Sequence, residues 1–296
     1  MSTRRKSTGL LNFHRPGTWK SDDEQKLTEE TRRCLRNLAS YRAPKELRRK
    51  APRTRSAAVL VGLFVGRQGD LYVLLNQRSH TLRSYAGDTS LPGGKVEEKD
   101  RSIEDTARRE AFEEIGLPLD KRKVPLLCIL EPFLIGNASV VTPVVVLILD
   151  PTLRPVLNGA EVESLFSHPL KGFLDTEAPF PHEPHLNEVP YYSYNDISWM
   201  PAGRRIPIRM HRFLTGREAG GIKPVYGGTA AMMIRVASIA FRRSPDFDVI
   251  APGQPTMIDR IDYVLHNDPK FLKAKEDEES ERRSSKRHRH RIRGKL

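Results

Sequence analysis

Three glutamates within five residues constrain this chain more than any other feature. In the run Arg109-Glu110-Ala111-Phe112-Glu113-Glu114-Ile115-Gly116-Leu117, a helix places Glu110, Glu113 and Glu114 at i, i+3 and i+4, on one face. Left unpartnered, such like charges cost about 0.2–0.5 kcal/mol per pair. A divalent cation reverses the sign of that effect. Hard carboxylate oxygens favour Mg2+ or Mn2+, and Mg2+ commonly bridges carboxylates and substrate phosphates. The competing reading is a solvated acidic helix face with no ligand.

The flanking residues argue for a ligand. Ser102 followed by Asp105 resembles a capping box with aspartate in the acidic position, which starts a helix near Ile103. Ile103, Ala107, Ala111 and Ile115 recur every four residues and make an apolar stripe. Gly116 suits the residue just past the helix end, and Pro118 stops any continuation. Arg109, one turn before Glu113, can pair with it. Upstream, Gly93-Gly94 lets the backbone approach a ligand closely. A glycine loop, a capped helix and a carboxylate cluster together predict a metal-phosphate site.

This run resembles the Nudix box, G-x5-E-x7-R-E-U-x-E-E-x-G-U with U aliphatic. The second half matches, with Ala111 as the residue after Arg109-Glu110. The first half departs: counting from Gly94, the glutamate position holds Asp100, and eight residues separate it from Arg109. That spacing is similar to the variant carried by the coenzyme A diphosphatases. Residues 74–94, LLNQRSHTLRSYAGDTSLPGG, resemble the same subgroup's signature, L-L-T-x-R-[SA]-x3-R-x3-G-x3-[FY]-P-G-G. Leu74, Leu75, Arg78, Ser79, Arg83, Gly87, Pro92, Gly93 and Gly94 fall in register, nine of eleven fixed positions. Asn76 stands for the threonine and Leu91 for the aromatic.

The resemblance implies an α/β fold, the Nudix α/β/α sandwich with a mixed central sheet. It implies metal-dependent hydrolysis of the diphosphate linkage of coenzyme A or its derivatives, giving 3′,5′-ADP and 4′-phosphopantetheine or its acylated or oxidised form. Glu110, Glu113 and Glu114, with the Gly94 carbonyl, are the implied Mg2+ or Mn2+ ligands. Arg109 orients the cluster, and Asp100 acts through a metal-bound water. Arg78, Ser79, Arg83, Gly87 and Gly93 are the implied substrate contacts. Arginine forks suit phosphates, and coenzyme A carries a 3′-phosphate beside its diphosphate; a pair of surface cations is the plainer reading of Arg78 and Arg83. Glu161 is the candidate general base outside the box, weighed against an ordinary surface carboxylate.

Beyond the box, apolar runs alternate with helical patterns between about 53 and 245, as in an α/β domain. Strands are expected at 57–65, 71–77, 124–130, 140–149 and 161–167. The fourth is expected to be central, with Pro143 at its beginning or at a bulge. A short helix should end near Leu174, and a buried one should cover Thr229 to Phe241. Residues 175–205 read as a long loop. The organisation expected is a basic, partly helical N-terminal extension (1–52), a Nudix hydrolase domain (53–250) and a C-terminal extension (251–296) with a disordered basic tail.

The last fifteen residues, 282–296, hold eight Lys or Arg and no acid, out of a net charge of +13. No aromatic residue interleaves those cations, so a nucleic-acid-binding role is the lesser reading. An alternative within the family is cleavage of oxidised nucleotides such as 8-oxo-dGTP, because the box handles only the diphosphate and metal. Cys34 and Cys128 offer neither a disulfide framework nor metal spacing. No apolar run is long enough to span a bilayer. Gly294-Lys295-Leu296 approximates a peroxisomal S-K-L signal, which implies an import receptor as partner. The acid-free first 21 residues suit a mitochondrial presequence instead. The peroxisome is favoured and the mitochondrion is the alternative.

Overall fold

The computed structural model describes residues 27–136, 139–150, 153–179, 189–215 and 223–293. Both targeting segments, residues 1–21 and Gly294 to Leu296, lie outside them. A mixed sheet forms the centre. Its path runs β3 (Thr89–Ser90), β2 (Leu71–Arg78), β1 (Ser56–Val65), β7 (Ser139–Leu147) and β5 (Leu126–Ile129). Off that path, β4 (Gly93–Lys95) pairs with β1, β6 (Phe133–Ile135) with β7, and β8 (Val162–Pro169) with β2. The β1–β7 pair is parallel, while the pairs of β2 with β1 and β8 are antiparallel.

The twofold alternation of strand side chains fills two cores. Ala58, Leu60, Val144 and Val146 face α2 (Ile103–Ile115), meeting its Ala107, Ala111 and Ile115. Val61, Leu63, Val145 and Leu147 face the opposite way, onto α3 (Gly227–Phe241) and α1 (Glu29–Ser40). Helices on both faces make the α/β/α sandwich. α1 belongs to this core through Cys34, Leu35 and Leu38, and Asn37 donates to the Ala240 carbonyl at 2.8 Å. The composition change near residue 52 is therefore not a packing boundary.

Several expectations need correction. Pro143 lies inside β7, not at its beginning, opposite Val59 of β1. Its carbonyl accepts from Leu130, the residue just past β5. Here the flank of β7 passes from β5, which pairs with Val144, to β6, which pairs with Val141. A residue with no N–H is tolerated at that handover because no strand there requires its donor. The expected loop at 175–205 contains β9 (Tyr192–Trp199), which joins β10 (Ile206–Thr215) and β11 (Lys223–Tyr226) in a second, antiparallel sheet. Polar, exposed positions along β9 hid it. The basic tail expected to be disordered continues as α5 (Pro269–Arg293), after α4 (Met257–Asn267). Ile261, Val264 and Phe271 of these helices pack on Ala51, Leu134 and Val140. Among the described residues no helix is long and apolar enough to cross a membrane.

Candidate active site

The box is a loop and a helix locked together. Ser102 Oγ accepts from the Asp105 amide and starts α2. Gly116 ends it at φ +67°, where a side chain would be strained. The loop before the helix is tied by Asp100, whose carboxylate accepts from the Glu97 amide and the Thr106 hydroxyl, each at 2.9 Å. Arg109 then bridges loop and helix. It donates to both Asp100 oxygens at 3.0 and 2.9 Å, to the Lys95 carbonyl at 3.0 Å, to Glu110 at 2.8 Å and to Glu113 at 3.0 Å.

Asp100 is a structural tie within the box. Its side chain is only 3% exposed, and four donors occupy its oxygens. Arg109, first among these, holds its carboxyl down to about 2. It braces Arg109 through both of its oxygens.

The three glutamates occupy different environments. Glu113 is 45% exposed and is held by Arg109. Glu110 lies against Gly94, where a Cβ would displace its carboxylate from this position. Burial raises the Glu110 pKa, and the Arg109 guanidinium opposes that rise. Glu114 is 4% exposed and receives long bonds of 3.3 Å from the Asn76 amide group and the Gly93 N–H. Burial pushes its carboxyl up to about 8, while the charge of Arg78 pulls it down.

Asn76 was legible only as a departure from the signature. It is fully buried on β2, accepts from Ser90 Oγ at 2.7 Å and donates to Glu114. A polar side chain within an otherwise apolar stretch of strand was the available signal. Leu91, the other departure, is a core residue.

Around the glutamates the structure gathers most of the remaining candidates. Arg78 ends β2, and its charge acts on Glu114. Besides burial, the charge of Glu161, in the turn before β8, adds to the rise in both the Glu110 and Glu114 pKa, so it lies near the cluster. The Glu161 carbonyl accepts from the Ser79 amide at 2.8 Å, and Ser79 Oγ meets Thr81 Oγ1 at 2.8 Å. The loop from Ser79 through the exposed Arg83 to Gly87 thus leaves and rejoins the sheet beside the acidic face. Its far end is pinned by Asp88, which accepts from the Tyr226 hydroxyl at 2.6 Å.

Among the described residues no three His, Cys, Asp or Glu side chains are already gathered as a metal site. Arg109 draws Glu110 and Glu113 together, whereas Glu114 is turned to Asn76 and Gly93. The donor chemistry nevertheless fits a hard divalent cation. Three carboxylates share one helix face, a buried one has only two long neutral bonds, and the bare Gly94 backbone touches another.

A carboxylate cluster on a capped helix, with one arginine clamping that helix to a glycine loop, is the geometry expected of the Nudix box. The NUDIX domain family matches residues 53–189. Arabidopsis thaliana Nudix hydrolase 22, chloroplastic, is 34% identical over 242 residues, spanning 80% of this chain and 72% of that protein. The chain belongs to the Nudix hydrolases, which act on pyrophosphate bonds and generally use divalent cations. Its relatives mark a coenzyme A diphosphatase-like subgroup. Mouse peroxisomal coenzyme A diphosphatase NUDT7 is 32% identical over 211 residues, spanning 71% of this chain and 75% of that protein. Saccharomyces cerevisiae peroxisomal coenzyme A diphosphatase 1 is 45% identical over 93 residues, only 30% of this chain and 27% of that protein.

Proposed function

We propose that this chain hydrolyses the diphosphate linkage of coenzyme A and its derivatives, releasing 3′,5′-ADP and 4′-phosphopantetheine or its acylated or oxidised form. One observation carries the reading: the 79–87 loop with its exposed Arg83 leaves the sheet next to the acidic cluster, at Arg78, whose charge acts on Glu114, and at Ser79, whose amide donates to the Glu161 main-chain carbonyl. The subgroup signature and the names of the relatives support the substrate.

Glu110, Glu113, Glu114 and the Gly94 carbonyl would hold Mg2+ or Mn2+, which when bound supplies charge stabilisation for the phosphoryl oxygens. Arg109 keeps two of those carboxylates aimed, itself braced by Asp100. Glu161 takes the proton of the attacking water, while Arg78 and Arg83 receive the diphosphate and the 3′-phosphate. Gly93 and Gly87 give the loop its close approach. Residues 53–250 carry the hydrolytic site, α1 before them completes the domain's core, and the segment after them packs on its edge.

The test is a matched panel of coenzyme A, its 3′-dephospho form and 8-oxo-dGTP, with Mg2+ or Mn2+ and products identified by mass. Coenzyme A is expected to be preferred, and Arg83→Ala should raise KM for it at least tenfold while leaving the dephospho form unchanged. Preference for 8-oxo-dGTP, with no effect of Arg83→Ala, would keep the hydrolase and overturn the substrate.

A further inference from the structure

A second cavity, of about 520 Å3, lies away from the carboxylate cluster, between β6, the β9–β10 hairpin, α3 and α4. That volume falls within the range of small-molecule sites. Phe133, Ile135, Ile208 and Ile234 supply apolar wall, and the exposed Ile197, Val249 and Ile250 rim it. Exposed aliphatic side chains around a cavity are costly to leave in water and mark a binding surface.

Four arginines also line this space, and their partners distinguish them. Arg209 is paired with both Asp196 oxygens, at 2.9 and 3.0 Å. Arg235 is paired with Glu131 at 2.6 Å, and Arg243 with Asp175 and Asp246. Arg260, on α4, has no carboxylate partner among the described residues. Its Nε is buried without a hydrogen bond, and its guanidinium lies 5.6 Å from the centre of the Trp199 ring. Burial alone acts on its pKa, lowering it, with no acidic neighbour opposing. A half-buried guanidinium with no carboxylate partner, beside an apolar wall, is a ready seat for an anion. The guanidinium fork suits a carboxylate, and the remaining wall offers hydrocarbon contact.

We propose that this cavity binds a medium-chain alkyl carboxylate, its carboxylate on Arg260 and Trp199 alongside, its chain running along Ile208 and Ile234 toward Ile135. A single unmatched positive charge selects a monoanion, since a phosphate dianion would leave one charge uncompensated. The site shares no residue with the hydrolytic cluster and stands whether or not coenzyme A is the substrate. The exposed Gly136 also lines the cavity, beside the Tyr85 hydroxyl of the 79–87 loop.

The experiment titrates decanoate into the full chain carrying Trp19→Phe, which leaves Trp199 as its one tryptophan, and follows emission and heat. One decanoate should bind per chain with a saturable change in Trp199 emission. Arg260→Met should weaken it at least tenfold and leave decanol binding unchanged, while Arg260→Lys should stay within about threefold of the parent. Ala231→Leu, which fills the cavity from α3, should weaken both ligands. The circular dichroism of each variant should match the parent. The proposal is overturned by an unsaturable response, by equal decanoate affinity in Arg260→Met, or by binding of decanoyl-coenzyme A at Trp199 when free decanoate does not bind.

Discussion

Replacing Asp100 with asparagine removes one charge and nearly no volume, and it isolates the brace behind the box. The Asp100 and Arg109 side chains are 3% and 12% exposed, so solvent screens their pair weakly. The Asp100 carboxyl titrates at about 2 in the fold, against 3.8 for a free side chain. At about 1.4 kcal/mol per pKa unit, that difference is worth about 2 kcal/mol of folding stability. The sign follows from a depressed pKa: the contribution is complete above 3.8 and is lost as pH falls from there through about 2. Urea denaturation should therefore find Asp100→Asn about 2 kcal/mol less stable at pH 7, with the same gap at pH 5. Turnover should fall as well, because Arg109 loses one of the two bonds, and the full charge, that hold it over Glu110 and Glu113. A difference below about 0.5 kcal/mol at pH 7 would refute the brace. So would a gap that already shrinks between pH 7 and pH 5.

Glu114→Gln should lower kcat by orders of magnitude without lowering the thermal midpoint of the metal-free protein, since burial already penalises the charged carboxylate; near-normal turnover would remove Glu114 from the ligand set. His168, buried and 2.7 Å from the Tyr191 hydroxyl, is held at about 3 by burial, against 6.5 in the unfolded chain. The folded state refuses a proton that the unfolded state accepts, so stability is complete above about 6.5 and declines by up to about 1.4 kcal/mol per pH unit below it. His168→Gln should flatten that slope by about one proton between pH 6 and 4.5, and an unchanged slope would clear His168 of the effect.

What the sequence by itself determined is local. The spacing of Glu110, Glu113 and Glu114, the Ser102 cap, the Gly116 stop and the four-residue stripe all follow from helix geometry within fifteen residues. The β1 and β2 strands and their Gly66–Asp70 turn follow from twofold periodicity and turn chemistry. Tertiary structure decided everything that depends on partners far apart in the chain. Asn76 reaches Glu114 across 38 residues, and Asn37 ties α1 to α3 across 203. The polar face of β9 gave no periodic signal because solvent meets most of it, and pairing with β10 makes it a strand. That Asp100 braces Arg109, with four donors closed around its carboxylate, was not legible in the spacing of the box. The unmatched charge of Arg260 could not be read from composition, since it is defined by which carboxylates its three neighbouring arginines found first. Periodicity specifies how a segment folds; whether a buried polar group is satisfied depends on what the rest of the chain brings to it.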